Sequence, residues 1–202
     1  SAIVSKDAVI HSTASIGPLA CIGDSEIGEE SVIHAGCIIY DNVRIGKNVV
    51  IHAGTVIGAD GFGYIRNNNN ELVKFPHVAG VIIGDNVEIG SNTSIDRGSL
   101  SDTIIMDGAK IDNLVHIAHN VVIGRNAAII ANSMIAGSAK IGNNAWVAPS
   151  ASILEQLEIG KNVLVGVGAV VTKNIPEGET WTGSPAKPLK EFIRIQGKLK
   201  SL

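Results

Sequence analysis

A chain of 202 residues, 45% hydrophobic but only 3% aromatic, can bury one substantial core, and that core must be aliphatic. Its formal charge of −3 excludes a general nucleic-acid binder, which concentrates basic charge on the surface facing the phosphates. Cys21 and Cys37 are isolated, and neither a signal-peptide pattern nor a membrane-spanning apolar run is evident. These features predict idle thiols in a reducing, cytoplasmic compartment, with no membrane insertion.

From the N-terminus, aliphatic residues recur every six positions: Val4, Ile10, Ile16 and Ile22, then after a one-residue slip Ile27, Ile33, Ile39, Ile45, Ile51 and Ile57. The spacing resumes at Ile83, Ile89 and Ile95. After an irregularity around Arg97 to Asp102, twelve hexads run in one register from Ile105 to Val171. The fifth place of these hexads is small or aliphatic, as at Ala109, Val115, Val121 and Ala127. Two inward places flanking one outward place are the signature of a short strand. Asn126, Asn144 and Asn162 occupy the fourth place, where a left-handed backbone suits asparagine. Their spacing of eighteen implies three hexads per coil, and therefore a triangular prism. At one strand spacing per coil, the 25 hexads predict about eight coils and a length of roughly 40 Å.

Between Ile57 and Ile83 the chain spends 26 residues where a regular hexad needs six, which predicts an excursion over residues 58–82. Long loops on a compact domain are often functional. Gly61 and Gly63 let the backbone approach a ligand, and Phe62 and Tyr64 offer stacking surfaces for a planar or sugar ring. Asp60, Phe62, Gly63, Tyr64 and His77 are the expected substrate contacts.

After Val171 the repeat gives way to Lys173, Pro176 and Thr182 to Lys187, and a C-terminal helix is expected. Leu189, Phe192, Ile193 and Leu199 fall near one helical face, with Lys187, Lys190, Arg194, Lys198 and Lys200 largely elsewhere. The predicted organisation is a repeat domain over 1–185, interrupted at 58–82, and a C-terminal helix over 186–202. That helix either caps the last coil or attracts an anionic ligand.

His119 stands at the third place of its hexad, a corner from which a side chain can face a second copy of the chain. Moving an acyl group from a thioester to an amine needs a base for the attacking nitrogen and a donor for the tetrahedral oxyanion. Imidazole suits the first task. Asn113, at the third place one hexad earlier, carries an amide suited to the second. Taken without other information, a single corner histidine is equally a polar surface residue.

Four stretches sharpen the reading: Gly58 to Tyr64, Gly84 to Gly90, Ile95 to Gly98, and Asp112-Asn113 through Ile117-Ala118-His119-Asn120. Together with the Ile-Gly hexads, they resemble the UDP-3-O-acylglucosamine N-acyltransferases of lipid A biosynthesis from about Val43 to Pro185. The resemblance implies an all-β, left-handed parallel β-helix, a homotrimer with sites between neighbouring prisms, His119 as general base and Asn113 as its assistant. It also implies a nucleotide sugar and an acyl thioester as the small-molecule partners.

Three departures shape the expected reaction. The family's uridine-binding domain ahead of the β-helix is absent from this sequence; Gln156 stands where a second histidine is common; and Val165 to Ala169 replace methionines that limit a long acyl chain. Gly183-Ser184-Pro185-Ala186-Lys187 is similar to the short CoA-dependent acetyltransferases. A short acyl-CoA co-substrate, with or without a 3-hydroxyl, is therefore expected, contacting Trp146, Gly166, Gly168 and Lys187. A 3-hydroxyacyl carrier protein is the alternative donor; no permanently bound cofactor and no metal are expected. Two other classes compete. The γ-type carbonic anhydrases share this fold but use three histidines, whereas here His116 and His119 are three apart and His34 and His52, eighteen apart, lack a third. A non-catalytic scaffold is the other.

Overall fold

Residues 1–199 are described in the computed structural model; Lys200, which the helix prediction includes, lies outside them. The chain winds into a left-handed parallel β-helix with three flat faces. The first face stacks nine strands, from Ile3–Val4 to Val170–Val171. The second stacks eight, from Val9–Ile10 to Glu158–Ile159, and the third ten, beginning at Ser15–Ile16. Within the regular region the register repeats every eighteen residues, as in Ile117 against Ile135, Ile135 against Ile153 and Ile153 against Val171.

The expected inward places form the core. Ile33, Ile51, Ile57, Ile89, Ile105, Ile117, Ile123, Ile129 and Ile135 are fully buried, and Ala109, Ala127 and Ala145 fill the narrower corners. Each buried isoleucine contributes about 2–3 kcal/mol of transfer free energy. Where the fifth place carries a hydroxyl, it donates to a nearby carbonyl: Thr55 Oγ1 to Gly90 O at 2.6 Å, and Ser133 Oγ to Ala148 O at 3.1 Å. These buried polar groups are thereby satisfied. The corners are left-handed as the asparagine spacing predicts, with φ of 54°, 57° and 56° at Asn126, Asn144 and Asn162.

Two features exceed the sequence reading. The prism has nine coils rather than eight, because Ile175 bridges Ile159 and Trp181 pairs with Val165 beyond the last regular hexad. More consequentially, the departures from six-residue spacing all fall on one edge. The steps Ile22 to Ile27, Ile57 to Ile83, Ile95 to Ile105 and Val171 to Ile175 each lead from the first face to the second. We call this the first edge.

The excursion over 58–82 leaves the first edge as a two-stranded antiparallel hairpin, Tyr64–Arg66 against Leu72–Lys74, and returns beside the shorter irregularity at 97–102. The two are tied at their bases. Gly80 N–H donates to Asp102 Oδ1 at 2.7 Å, and Val78 N–H to Ser99 O at 3.0 Å. Arg97 donates from Nε to Gly58 O at 2.6 Å and from Nη2 to Asp41 O at 2.9 Å.

At the C-terminal end, Lys187–Pro188 pairs antiparallel with Thr180–Thr182, ending the parallel stack of the third face. The helix Leu189–Leu199 packs on these two strands, with Phe192 against Gly183. Cys37 is buried and Cys21 half-buried, and both are free thiols. Burial pushes the Cys37 thiol above its usual range. No described helix is long and apolar enough to cross a membrane.

Candidate active site

His119 lies on the first edge, two residues past the end of the strand His116–Ile117, and its ring is held by the next residue. Asn120 has φ of 61°, which turns the chain and places its amide beside the imidazole. Asn120 Nδ2 donates to Ser101 O at 2.6 Å and Ser101 Oγ at 3.0 Å, while Oδ1 accepts from Ser99 N–H at 3.2 Å and Ser99 Oγ at 2.8 Å. The amide orientation is fixed by these backbone partners, because a carbonyl only accepts and an N–H only donates. Since His119 Nδ1 also lies 2.9 Å from Asn120 Oδ1, Nδ1 must carry the hydrogen. Nε2 has no hydrogen-bond partner among the described residues, and in the neutral ring it carries the lone pair.

The excursion covers one side of this ring. His77 meets His119 edge-on, with centroids 5.2 Å apart and planes at 71°. His77 Nδ1 donates to Phe75 O at 3.1 Å, and its Nε2 is buried without a partner. Burial lowers the His77 pKa, with the neighbouring His119 acting in the same sense, favouring the neutral ring. Close backbone approach requires glycine here: a Cβ on Gly61 would stand 2.9 Å from both His119 Cδ2 and His77 Nε2. Likewise, a Cβ on Gly137 would stand 2.8 Å from His119 Nε2.

A cavity of about 410 Å³ opens beside His119, lined among others by Phe62, Asp96, His116, Met134 and Gln156. It holds a buried acid that the sequence reading missed. Asp96 is only 7% exposed, with His116 Nε2 3.7 Å from its Oδ2. Burial pushes its pKa up to about 6, while the neighbouring imidazoles of His116 and His119 act in the opposite sense. A faint signal existed: Asp96 directly follows an inward isoleucine, at a place taken by Ala118 and Ala136 in the next two coils.

The other expected contacts divide. Phe62 lines the cavity but is 83% exposed, and it tilts against Tyr64 with centroids 4.9 Å apart. Gly63 O accepts from Phe75 N–H at 2.9 Å and closes the loop base. Asp60 is held by Lys74, with Arg97 Nε at 3.9 Å, and the Lys74 hydrogen bond keeps its carboxyl below the usual range. In this arrangement Asp60 braces the loop.

Asn113, Gly166 and Gly168 lie elsewhere, on or beside the edge joining the third face to the first. Asn113 Oδ1 accepts from Ser91 N–H at 2.6 Å, and its Nδ2 lies 3.0 Å from Asp112 Oδ1. Trp146 is 51% exposed on the third face, stacked between Ala128 and Leu164, with its outer surface open. Lys187 pairs with Glu191 at 3.0 Å. One chain therefore does not bring Asn113 or the expected donor contacts into the His119 cavity. His34 and His52 do stack, at 5.1 Å and 5°, and His52 meets Glu88 at 3.1 Å. Among the described residues no group of three His, Cys, Asp or Glu is placed to hold a metal.

The hexapeptide repeat agrees with sequence comparison. The profile described as bacterial transferase hexapeptide (six repeats) matches residues 24–59, 102–137 and 138–173, and that of the hexapeptide repeat of succinyl-transferase matches 78–113. The chain belongs to the bacterial hexapeptide-repeat transferases. It is 46% identical over 179 residues to the UDP-3-O-acylglucosamine N-acyltransferase of Caulobacter vibrioides, covering 89% of this chain and 47% of that one. With the enzyme of the same name from Methylobacterium sp. it shares 37% over 146 residues, 72% of this chain and 41% of that one. The chain thus spans less than half the length of these relatives. Among solved structures, LpxA of Acinetobacter baumannii superposes with a TM-score of 0.84 at 25% identity, covering 97% of this chain and 76% of that one. The UDP-N-acetylglucosamine O-acyltransferase of Moraxella catarrhalis gives 0.84 at 28%, covering 96% and 76%.

Proposed function

We propose that this protein is an N-acyltransferase that moves a short acyl group, with or without a 3-hydroxyl, from a CoA thioester to the amine of a nucleotide-linked amino sugar. The observation that carries the reading is the His119 tautomer, with Nδ1–H held by Asn120 and a bare Nε2 beside a cavity. That is the form a general base requires. The names of the sequence relatives support a sugar amine as acceptor.

The amine nitrogen attacks the thioester carbonyl, and His119 Nε2 takes a proton from it. Charge then develops on the carbonyl oxygen, and a hydrogen of Asn113 Nδ2 is the donor we assign to it. Because Asn113 and His119 stand on different edges, the site is completed between copies, the first edge of one facing the Asn113 edge of the next. A closed trimer satisfies this with three equivalent contacts. The departing thiolate recovers its proton from His119. Trp146, Gly166, Gly168 and Lys187 would hold the CoA portion along the third face and its edge.

A second reading keeps the chemistry but takes a long 3-hydroxyacyl group from a carrier protein, as a step of lipid A assembly. It is favoured by the open space at Gly168, where a Cβ would meet nothing within 4 Å, and by Val167 being 71% exposed. A chain-length series on UDP-amino sugars separates the two. We expect rates to fall steeply beyond about four carbons, the order that a short acyl-CoA donor requires. Faster transfer from a long-chain 3-hydroxyacyl carrier protein selects the second reading, and no transfer from any thioester removes both.

A further inference from the structure

Asp96 has no part in the reaction derived above, yet it borders the same cavity. Its side chain is 9% exposed, and no described residue donates it a hydrogen bond. The nearest basic side-chain nitrogen, His116 Nε2 at 3.7 Å, is beyond hydrogen-bond reach. Ala118, which lines the same cavity one coil on, is too small to cover it. A carboxylate withdrawn from water with no donor is costly, and proteins retain one where a partner from outside the chain completes it. The missing partner must bring N–H or O–H donors and preferably positive charge. An ammonium offers three hydrogens and a full charge, whereas an alcohol offers one hydrogen and none.

The same prism carries proteins named for opposite acceptors: N-acyltransferases among the sequence relatives, an O-acyltransferase among the structural ones. The backbone therefore does not make the choice. We infer that Asp96 receives the acceptor amine as its ammonium, removes its first proton, and thereby selects amines over hydroxyls at this site; the inference rests on the acyl-transfer reading above.

An ammonium must lose two protons to become an amide, and the site holds one base for each. In the first step R–NH3⁺ gives a proton to the Asp96 carboxylate, leaving R–NH2 and a neutral carboxyl. The nitrogen lone pair then forms the C–N bond while the carbonyl π electrons move to oxygen. His119 Nε2 takes the second proton from the adduct nitrogen, the C–S bond breaks with its electrons on sulfur, and His119 protonates the thiolate. Asp96 then returns its proton to water, so the sum is ammonium plus thioester giving amide, thiol and one proton. Burial makes Asp96 more basic than an ordinary aspartate, with Asp60 acting in the same sense and His116 and His119 against it, and at about 6 it is still ionised near neutral pH.

The test uses UDP-glucosamine and UDP-glucose, which differ only in an amine against a hydroxyl, with dissociation constants measured without donor. Wild type should prefer UDP-glucosamine. Asp96→Asn should weaken it by about thirtyfold or more while leaving UDP-glucose within about threefold, the pattern of a lost charge-assisted contact. Asp96→Ser should behave the same way if asparagine disturbs packing. The melting temperature should hold or rise at neutral pH, since an unpaired buried charge is removed; a residue needed only for folding would lower it. Equal binding of the two sugars by wild type, or an unchanged preference in both variants, overturns the inference. If His119→Ala abolishes transfer while Asp96→Asn keeps the preference, this inference alone fails; if neither sugar binds wild type, the nucleotide-sugar reading falls with it.

Discussion

At His119 the decisive contact is with the residue that follows it. Asn120 fixes both the tautomer and the ring position, because its amide is already anchored to Ser99 and Ser101. Replacing His119 by Ala should lower kcat about a hundredfold or more with the melting temperature nearly unchanged, whereas His116→Ala should cost less than about tenfold. Asn120→Ala should lower kcat about tenfold by freeing the tautomer, and Asn120→Asp should restore part of the rate because it still accepts from Nδ1. Initial rates across the series check all four. Asp96 supplies a pH test. Its folded pKa of about 6 exceeds the ordinary 3.8, so the folded state binds the proton more tightly. The associated stability is fully present below 3.8 and is lost as pH rises through about 6. Asp96→Asn should therefore raise the melting temperature at pH 7 and change it little at pH 4. The corner positions of His119 and Asn113 were legible from their hexad places, whereas the roles proposed for them rest on the resemblance of the stretch containing them. Asp96 was not, because its burial depends on coils whose alignment the linear sequence does not display.

The elements that matter most are the corners and the excursions. Left-handed corners repeat without glycine at most positions, and Asn144 also donates from Nδ2 to Asn162 Oδ1 at 3.2 Å. Asn144→Ala should destabilise by about 1–2 kcal/mol through its positive φ, while Asn144→Gly should cost only a few tenths. Chemical denaturation resolves that difference. Arg97 joins three segments by bonding Gly58 O and Asp41 O from its own coil position. Arg97→Ala should cost about 1–3 kcal/mol and speed amide exchange over residues 60–79, leaving the regular coils from 105 to 171 protected. Uniform loosening of the whole prism would contradict the view of Arg97 as a loop clamp. The six-residue spacing made the strands plain, and its breaks were visible as breaks. That all four share one edge follows only once three faces are counted through from the N-terminus. The final coil was hidden because Ile175 arrives four residues after Val171 rather than six.

For the whole molecule, the central feature is the division of chemistry between edges. His119, Asp96, His77 and Gln156 gather at the first edge, and Asn113 stands one face away. The eighteen-residue spacing predicted the prism, and its hand came with the family resemblance. Which edge meets which is a property of the assembly, beyond what one chain's spacing specifies. Light scattering should return a trimer at micromolar concentration. The most direct measurement mixes two inactive variants, His119→Ala and Asn113→Ala, by co-expression or by unfolding and reassembly. If each site draws its base from one copy and its oxyanion donor from the next, each mixed trimer should regain one site in three, roughly a quarter of wild-type sites over a random one-to-one mixture, while each variant alone stays inactive. Verified mixed trimers with no recovered transfer, or full activity from monomers, would contradict the account.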